Sequence, residues 1–427
     1  MSRRKRAGRR GLGVAAAAVA VAAGLALAVA GSPVPIALTP ATSPTPTVAR
    51  NVIFIQGDGM GDAQWAFLRL ASVGPGGLLA MDRLPVTGSV RTDPDDPDES
   101  VTDSAAAATA FATGVKTHNG AVGVDPAGRT LSTALELAQR SGRATGLVTT
   151  ATVTDATPAS FAAHVGSRDD QSEIARQYLE LSRPDVILGG GEDYWHPAGD
   201  PGAHPDHPAK DPAEASVGTR GRLVDRAREL GYDYVTDAAG LAASTSGRLL
   251  GLFANEELYE ARKDGQGGSY SPAVPLPTMT RKALDVLDDD PEGFFLVIEE
   301  EGVDAMAHQN NTGLLLESLR ALDAAVAVAL EFQQAHPDTL VLVVGDHETG
   351  GMSIVDSAAS GDDDELDGPL ASAGGAGSFY VRWATANHTG VETPLTAGGP
   401  GAGALAGSID NTDVFGAMVS AMGLSGR

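Results

Sequence analysis

Four short runs constrain this chain more than any other feature: Asn51–Gly57 (NVIFIQG), Ala144–Thr150 (ATGLVTT), Phe294–Glu299 (FFLVIE) and Thr339–Gly345 (TLVLVVG). Each is apolar at consecutive rather than alternate positions, the pattern of a strand buried on both faces. Amphipathic stretches at Thr130–Arg140, Gln171–Leu181 and Gly313–Gln334 are interspersed with them. Such alternation predicts an α/β fold, one large domain with a central, mostly parallel sheet sandwiched between helices. No internal repeat is visible. In sheets of this kind ligands collect beyond the C-terminal ends of the strands. Those ends are therefore where chemistry is to be sought.

Acids and histidines stand there repeatedly. The first run opens into Gly57-Asp58-Gly59-Met60-Gly61, with Asp58 among glycines. The third ends in Glu299 and is followed by Asp304 and His308, four apart and so on one face of a helical turn. The fourth runs into Asp346-His347-Glu348-Thr349-Gly350-Gly351, and Asn387-His388-Thr389-Gly390 adds a histidine near the C-terminus. A single strand-end Asp is commonly a turn former or a cap. Four sites of one ligand type at equivalent topological positions point instead to bound metal.

Val101–Gly114 (VTDSAAAATAFATG) carries one hydroxyl, Ser104, after one carboxylate, Asp103, ahead of an almost unbroken alanine run. Alanine favours helix and offers no functional group, so the stretch predicts a buried helix with Ser104 in its first turn. A helix start presents unpaired N–H groups and the positive end of the peptide dipoles, a ready site for an oxyanion. The plain alternative is that Ser104 serves only as the cap.

Other segments bound the setting. Met1–Ala30 has a basic head, an uncharged Gly11–Ala30 run and the small-x-small sequence Ala28-Val29-Ala30, the make-up of a cleaved signal peptide. A retained membrane anchor is the alternative, but the run is Ala-rich and weakly hydrophobic. Arg9-Arg10 leaves Sec and Tat export both open. Residues 31–50 are Pro-rich and predict an extended linker, leaving 51–427 as the folded domain. The expected location is secreted or periplasmic, with no membrane association after cleavage. There is no cysteine, so no disulfide supports the fold outside the cell. The formal charge is −25, and removal of the six basic residues of the leader takes it to −31, which argues against nucleic acid as a partner.

Of the nine histidines, His196, His204 and His207 fall in a Pro/Gly/Asp-rich stretch and read as loop residues. The acidic runs Asp93–Glu99 and Gly361–Asp367 lack the spacing of a calcium loop and read as solvated insertions.

The ordered set VTDSAAAATAFATG, ATVTDATPASFAAH, FFLVIEEEGVDAMAH, GDHETGG and NHTG resembles the alkaline phosphatases over nearly the whole chain from Asn51 to about Met422. The resemblance implies a phosphomonoesterase acting through a phosphoserine, with two Zn2+ and one Mg2+ per chain. It implies Ser104 as nucleophile, Arg168 as the grip on phosphate and Asp103 as the residue that orients it. Asp304, His308 and His388 match the ligands of the first zinc, and Asp58, Asp346 and His347 those of the second. Asp58, Thr157 and Glu299 match the magnesium ligands, with Asp155 a further acid around that ion's water. Substrates would be small phosphate monoesters, and a homodimer is common in the family.

Two departures stand out. Ala305 occupies a position where many members carry Lys or His, and Glu299-Glu300-Glu301 leaves the magnesium ligand ambiguous in register. The resemblance implies Glu299, whose spacing of five before Asp304 matches the family. The rival readings are a two-metal phosphodiesterase of the same superfamily and a non-catalytic phosphate-binding protein.

Overall fold

A ten-stranded sheet forms the middle layer of the computed structural model, which describes residues 47–206, 215–356 and 366–425. The leader over 1–30, the expected linker up to residue 46, His207 and residues 361–365 of the second acidic run lie outside the described residues. Across the sheet the strands run Gly407–Asp410, Val86–Arg91, Thr393–Gly398, Thr339–Gly345, Asn51–Gly57, Phe294–Glu300, Ala144–Thr152, Val186–Gly190, Leu249–Leu252 and Asp233–Val235. Only Thr393–Gly398 is antiparallel to its neighbours. The described residues from 47 onward belong to one compact unit.

The four apolar runs are the adjacent central strands, each buried throughout apart from the half-buried first residue of Ala144–Thr152. Period-two alternation sends Val52, Phe54, Phe295, Val297, Leu340 and Leu342 to one face and Ile53, Ile55, Leu296, Ile298, Val341 and Val343 to the other. Both faces are therefore covered. The first packs against Ser104–Thr113, Ala156–Ala162 and Asn411–Ala421, and the second against Leu276–Leu287 and Thr312–Ala335. Phe54 contacts Phe111 and Phe161 with ring centroids 5.7 and 4.9 Å apart, and Phe161 meets Phe295 at 5.9 Å. These rings fix Ser104–Thr113 and Ala156–Ala162 to the sheet, beneath the site.

Local chemistry sets the helix bounds. The helix expected over Thr130–Arg140 starts at Ala134, because Thr133 accepts from the Glu136 N–H while Glu136 reaches back to the Thr133 N–H. The long helix spans Thr312–Ala335, with Asn311 capping Leu314 N–H. Gln171–Leu181 divides into an α-helix over Gln171–Gln177 and a wider turn over Tyr178–Ser182. Within the expected linker, Ala49 is buried and its N–H donates to the Ala421 carbonyl at 2.7 Å, so docked chain begins before Asn51.

Six strands of the sheet were not among the four predicted. They are short, and several carry Gly or Pro, so their pairing comes from neighbours rather than from their own pattern. Beyond the sheet, a three-stranded patch (Ser353–Val355, Leu366–Ala371, Ser378–Arg382) fills the short interval between His347 and His388. A two-residue ribbon pairs His388 with Thr349 and Thr389 with Glu348, bringing the two histidine loops together.

Candidate active site

Asp103, not Ser104, caps the helix Ser104–Thr113. Its backbone is extended and its Oδ1 accepts from Ala106 N–H at 2.9 Å, while Oδ2 accepts from Gly120 N–H at 2.9 Å. That relieves Ser104 of any capping duty. Its Oγ, almost wholly buried, lies 3.1 Å from His347 Nε2 and 3.5 Å from Asp58 Oδ1. The plain reading of Ser104 as a cap is thus excluded. Replacing Asp103 by Ala is expected to lower unfolding stability by about 1 kcal/mol through the lost cap, measurable as a shift of the denaturant midpoint.

The strand ends deliver the rest. Asp58 follows Asn51–Gly57, and Asp346 and His347 follow Thr339–Gly345, each buried. The helix Gly302–His308 presents Asp304 and His308 from one side. His308 Nε2 lies 3.1 Å from Asp304 Oδ2 and 3.0 Å from His388 Nε2. His388 Nε2 is 3.6 Å from Asp304 Oδ1. His347 Nε2 sits 3.5 Å from Asp58 Oδ1 and 3.3 Å from Asp346 Oδ2. Gly59, at φ +70°, has no alternative, since a Cβ there would press on Asp304 within 3 Å.

These side chains suit cations. Among the described residues two groups have ligand atoms close enough to share an ion, Asp304–His347–His388 and Asp58–Asp346–His347. His308 donates from Nδ1 to the Ala386 carbonyl and His388 from Nδ1 to the Thr102 carbonyl, at 2.6 and 3.0 Å. Each carbonyl orients its ring so that Nε2 faces Asp304 and the other ring, and in the absence of a cation the hydrogen bond to Asp304 keeps His308 protonated there, its pKa pushed up to about 9. A cation bound by Asp304 and these nitrogens would replace that proton. Asp346 Oδ2 and Glu299 Oε1 are buried and accept no hydrogen bond, so their charge also calls for a cation.

A third group lies beside Asp58. Gln56 Nε2 donates to Thr157 Oγ1 at 2.8 Å and approaches Asp58 Oδ2 at 3.4 Å, and Thr149 Oγ1 donates to Glu299 Oε2 at 2.5 Å. The strand's alternation separates Glu299 from Glu300. Glu299 faces the same side as Gln56, whereas Glu300 turns to the opposite face and is bound there by the Tyr270 and Thr150 hydroxyls at 2.5 and 2.9 Å.

Burial, then repulsion from neighbouring carboxylates, raises the pKa of Asp58 well above the usual range. Burial pushes Asp346 up to about 7, with Asp304 contributing, and Glu299 up to about 8, with Asp155 contributing. Asp304 goes the other way: burial would raise it, but His308, His347 and His388 outweigh that. His347 is held neutral by burial and by His388.

Arg168 reaches Asp103, the residue before the serine. It donates to Asp155 Oδ1 at 2.8 Å and Asp103 Oδ2 at 3.3 Å, and these two acids outweigh the burial that opposes its charge. Asp155, expected around the magnesium water, also partners Arg168. The sequence-predicted site residues are linked through these contacts, but the group around Asp304 and His388 includes His347, where His308 was expected as the third ligand. His196 and His204 belong to neither group of metal-capable side chains; His196 is buried 3.5 Å from both Glu192 and Asp200.

Sequence reasoning missed Gln56, Thr349 and Asn119. Thr349 donates to Asp304 and contacts His347 Nδ1 at 3.2 Å. Asn119 accepts from Asp103 N–H at 3.0 Å, and its own N–H donates to Asp96 at 3.0 Å, which ties the first acidic run to the site loop rather than leaving it merely solvated. A buried glutamine directly after the apolar Val52–Ile55 was the one signal available for Gln56.

Comparison with known proteins agrees with this geometry. The family model described as alkaline phosphatase matches residues 49–367. The streptomycin-6-phosphate phosphatase of Streptomyces griseus is 38% identical, the match covering 89% of this chain and 92% of that protein. The structure of a cold-active alkaline phosphatase from a psychrophilic Shewanella superimposes with a TM-score of 0.71 at 30% identity, over 87% of this chain and 99% of that one. A variant alkaline phosphatase from the Antarctic bacterium TAB5, with Mg bound in its M3 site, gives 0.70 at 26% identity, over 89% of this chain and 99% of that one.

Proposed function

The chain belongs to the alkaline phosphatase family, and from that footing we propose that it hydrolyses small phosphate monoesters outside the cytoplasm through a phosphoserine at Ser104. The observation that carries the reading is the position of Ser104 Oγ. It is freed from capping, seated at the positive end of a buried helix, and placed 3.1 Å from His347 and 3.5 Å from Asp58 with Arg168 nearby.

Asp304, His308 and His388 would hold one zinc, Asp58, Asp346 and His347 a second, and Asp58, Thr157 and Glu299 a magnesium. Nitrogen donors then go to the zincs and oxygen donors alone to the harder ion. Bound there, such cations lower the pKa of a hydroxyl or water and neutralise charge on oxygens at both ends of an in-line displacement.

The chain's own residues do the rest. Arg168 grips two non-bridging phosphate oxygens with its planar fork, while Asp103 and Asp155 hold that fork in place. Ser104 Oγ forms a bond to phosphorus as the ester P–O bond breaks, and the alcohol leaves with a proton. Water then attacks phosphorus, the serine P–O bond breaks, and inorganic phosphate departs. The helix N–H groups around Ser104 stabilise the phosphoryl oxygens throughout.

The test is release of p-nitrophenol from its phosphate monoester against its bis-ester. The monoester is expected to be favoured by at least about a hundredfold, and Arg168→Lys to erode that margin by raising KM for the dianion. Preference for the bis-ester would favour the phosphodiesterase reading.

Ala305 lies on Gly302–His308 and offers no hydrogen-bonding group. Ala305→Lys is therefore expected to lower the inhibition constant for inorganic phosphate severalfold. An unchanged constant would show that the position does not face bound phosphate.

A further inference from the structure

We propose that the cavity beside the active site selects phosphate monoesters whose leaving group carries a positive charge, an ammonium or a guanidinium. This inference rests on the phosphatase reading above. In-line displacement places the leaving oxygen opposite the nucleophile. Ser104 stands on the Asp58 side of His347, so the leaving group points toward Asp304, His308 and His388. Beyond Asp304 and His308 opens a cavity of about 1000 Å3, ample for a leaving group larger than a simple alcohol.

Its chemistry is one-sided. The loop after the strand Leu249–Leu252 contributes Glu256, Glu257 and Glu260 to the wall, and Glu301 adds a fourth carboxylate. Glu301 Oε2 is buried and accepts no hydrogen bond. Against these the described lining offers the cation Arg262 and the imidazoles of His204 and His308. Tyr259 also lines the cavity, its ring stacked on Tyr270 with centroids 6.4 Å apart. A carboxylate set joined by an aromatic ring is the chemistry that recognises organic cations. Ala305 belongs to the same wall, where many relatives would place a Lys or His. A basic side chain there would repel such a leaving group, and Ala305 does not.

The decisive comparison uses two esters of one shape. Choline phosphate carries a fixed positive charge, and neohexyl phosphate is its uncharged carbon isostere. At low ionic strength kcat/KM is expected to favour choline phosphate about tenfold, and the ratio to fall toward one as salt screens the field. Glu260→Gln, an exposed position, and the double variant Glu257→Gln/Glu260→Gln are expected to reduce the ratio stepwise while neohexyl phosphate turnover stays unchanged. Ala305→Lys is expected to invert it. A ratio near one in the unaltered enzyme at low salt, or a ratio that neither Glu variant changes, would overturn the proposal. Loss of turnover on both esters alongside normal p-nitrophenyl phosphate hydrolysis would overturn it too and leave the phosphatase reading standing. Failure on every monoester would overturn that reading itself.

Discussion

Ser104→Ala is expected to reduce kcat for p-nitrophenyl phosphate by about 10^4-fold or more, since removing a nucleophile removes the covalent route altogether. The fold should not register the change. Asp103 supplies the cap, Ala is the best helix former, and the surrounding helix is already alanine-rich and buried. The unfolding midpoint is expected to stay within about 0.5 kcal/mol of the parent. Acid quenching of the unaltered enzyme during turnover should trap a mass increment of one phosphoryl group on the peptide holding Ser104, and the variant should show none. Retention of activity within tenfold would remove Ser104 from the role of nucleophile and leave water as the direct attacker.

Stripping the protein with a chelator is expected to abolish turnover, and zinc with magnesium to restore it, with about two zinc and one magnesium per chain by elemental mass spectrometry. Stability carries a second, independent signature. In the stripped chain Asp346 titrates near 7 and Glu299 near 8, raised chiefly by burial, while Asp58 is displaced in the same direction. Their unfolded values lie near 4. Between about pH 4 and pH 8 the folded state then binds more protons than the unfolded one, so these groups make stability fall as pH rises. Bound cations replace those protons. The gap in melting temperature between loaded and stripped protein should therefore widen from pH 5.5 to pH 8.5. An equal gap at both values would mean that the acids do not face a shared cation.

The sheet and the site were legible in unequal measure, for reasons that particular residues make plain. Asn51–Gly57 and Thr339–Gly345 could be read because burial on both faces leaves an unbroken apolar run. Asp58, Asp346 and His347 could be read because a parallel sheet places its strand ends on one rim. The roles of Ser104, Arg168, Asp103 and Thr157 came from motif order and resemblance, since a lone serine or threonine says little about its partners.

What tertiary structure alone decided is which atoms meet. Period-two alternation was implicit in Glu299-Glu300-Glu301, but only the paired strand Asn51–Gly57 shows that Glu299 faces the site and Glu300 faces Tyr270. Asp155 became a partner of Arg168, and Gln56 joined Asp58 and Thr157, through contacts between segments far apart in the chain. The acidic cavity likewise assembles the loop carrying Glu256, Glu257 and Glu260 with the helix Gly302–His308. By itself the sequence determined the alanine-rich helix, the buried runs and the residue types at the strand ends, because helix propensity and hydrophobic burial act over a few neighbouring residues. Distances between side chains from different strands follow from how the layers pack, and no local rule encodes them.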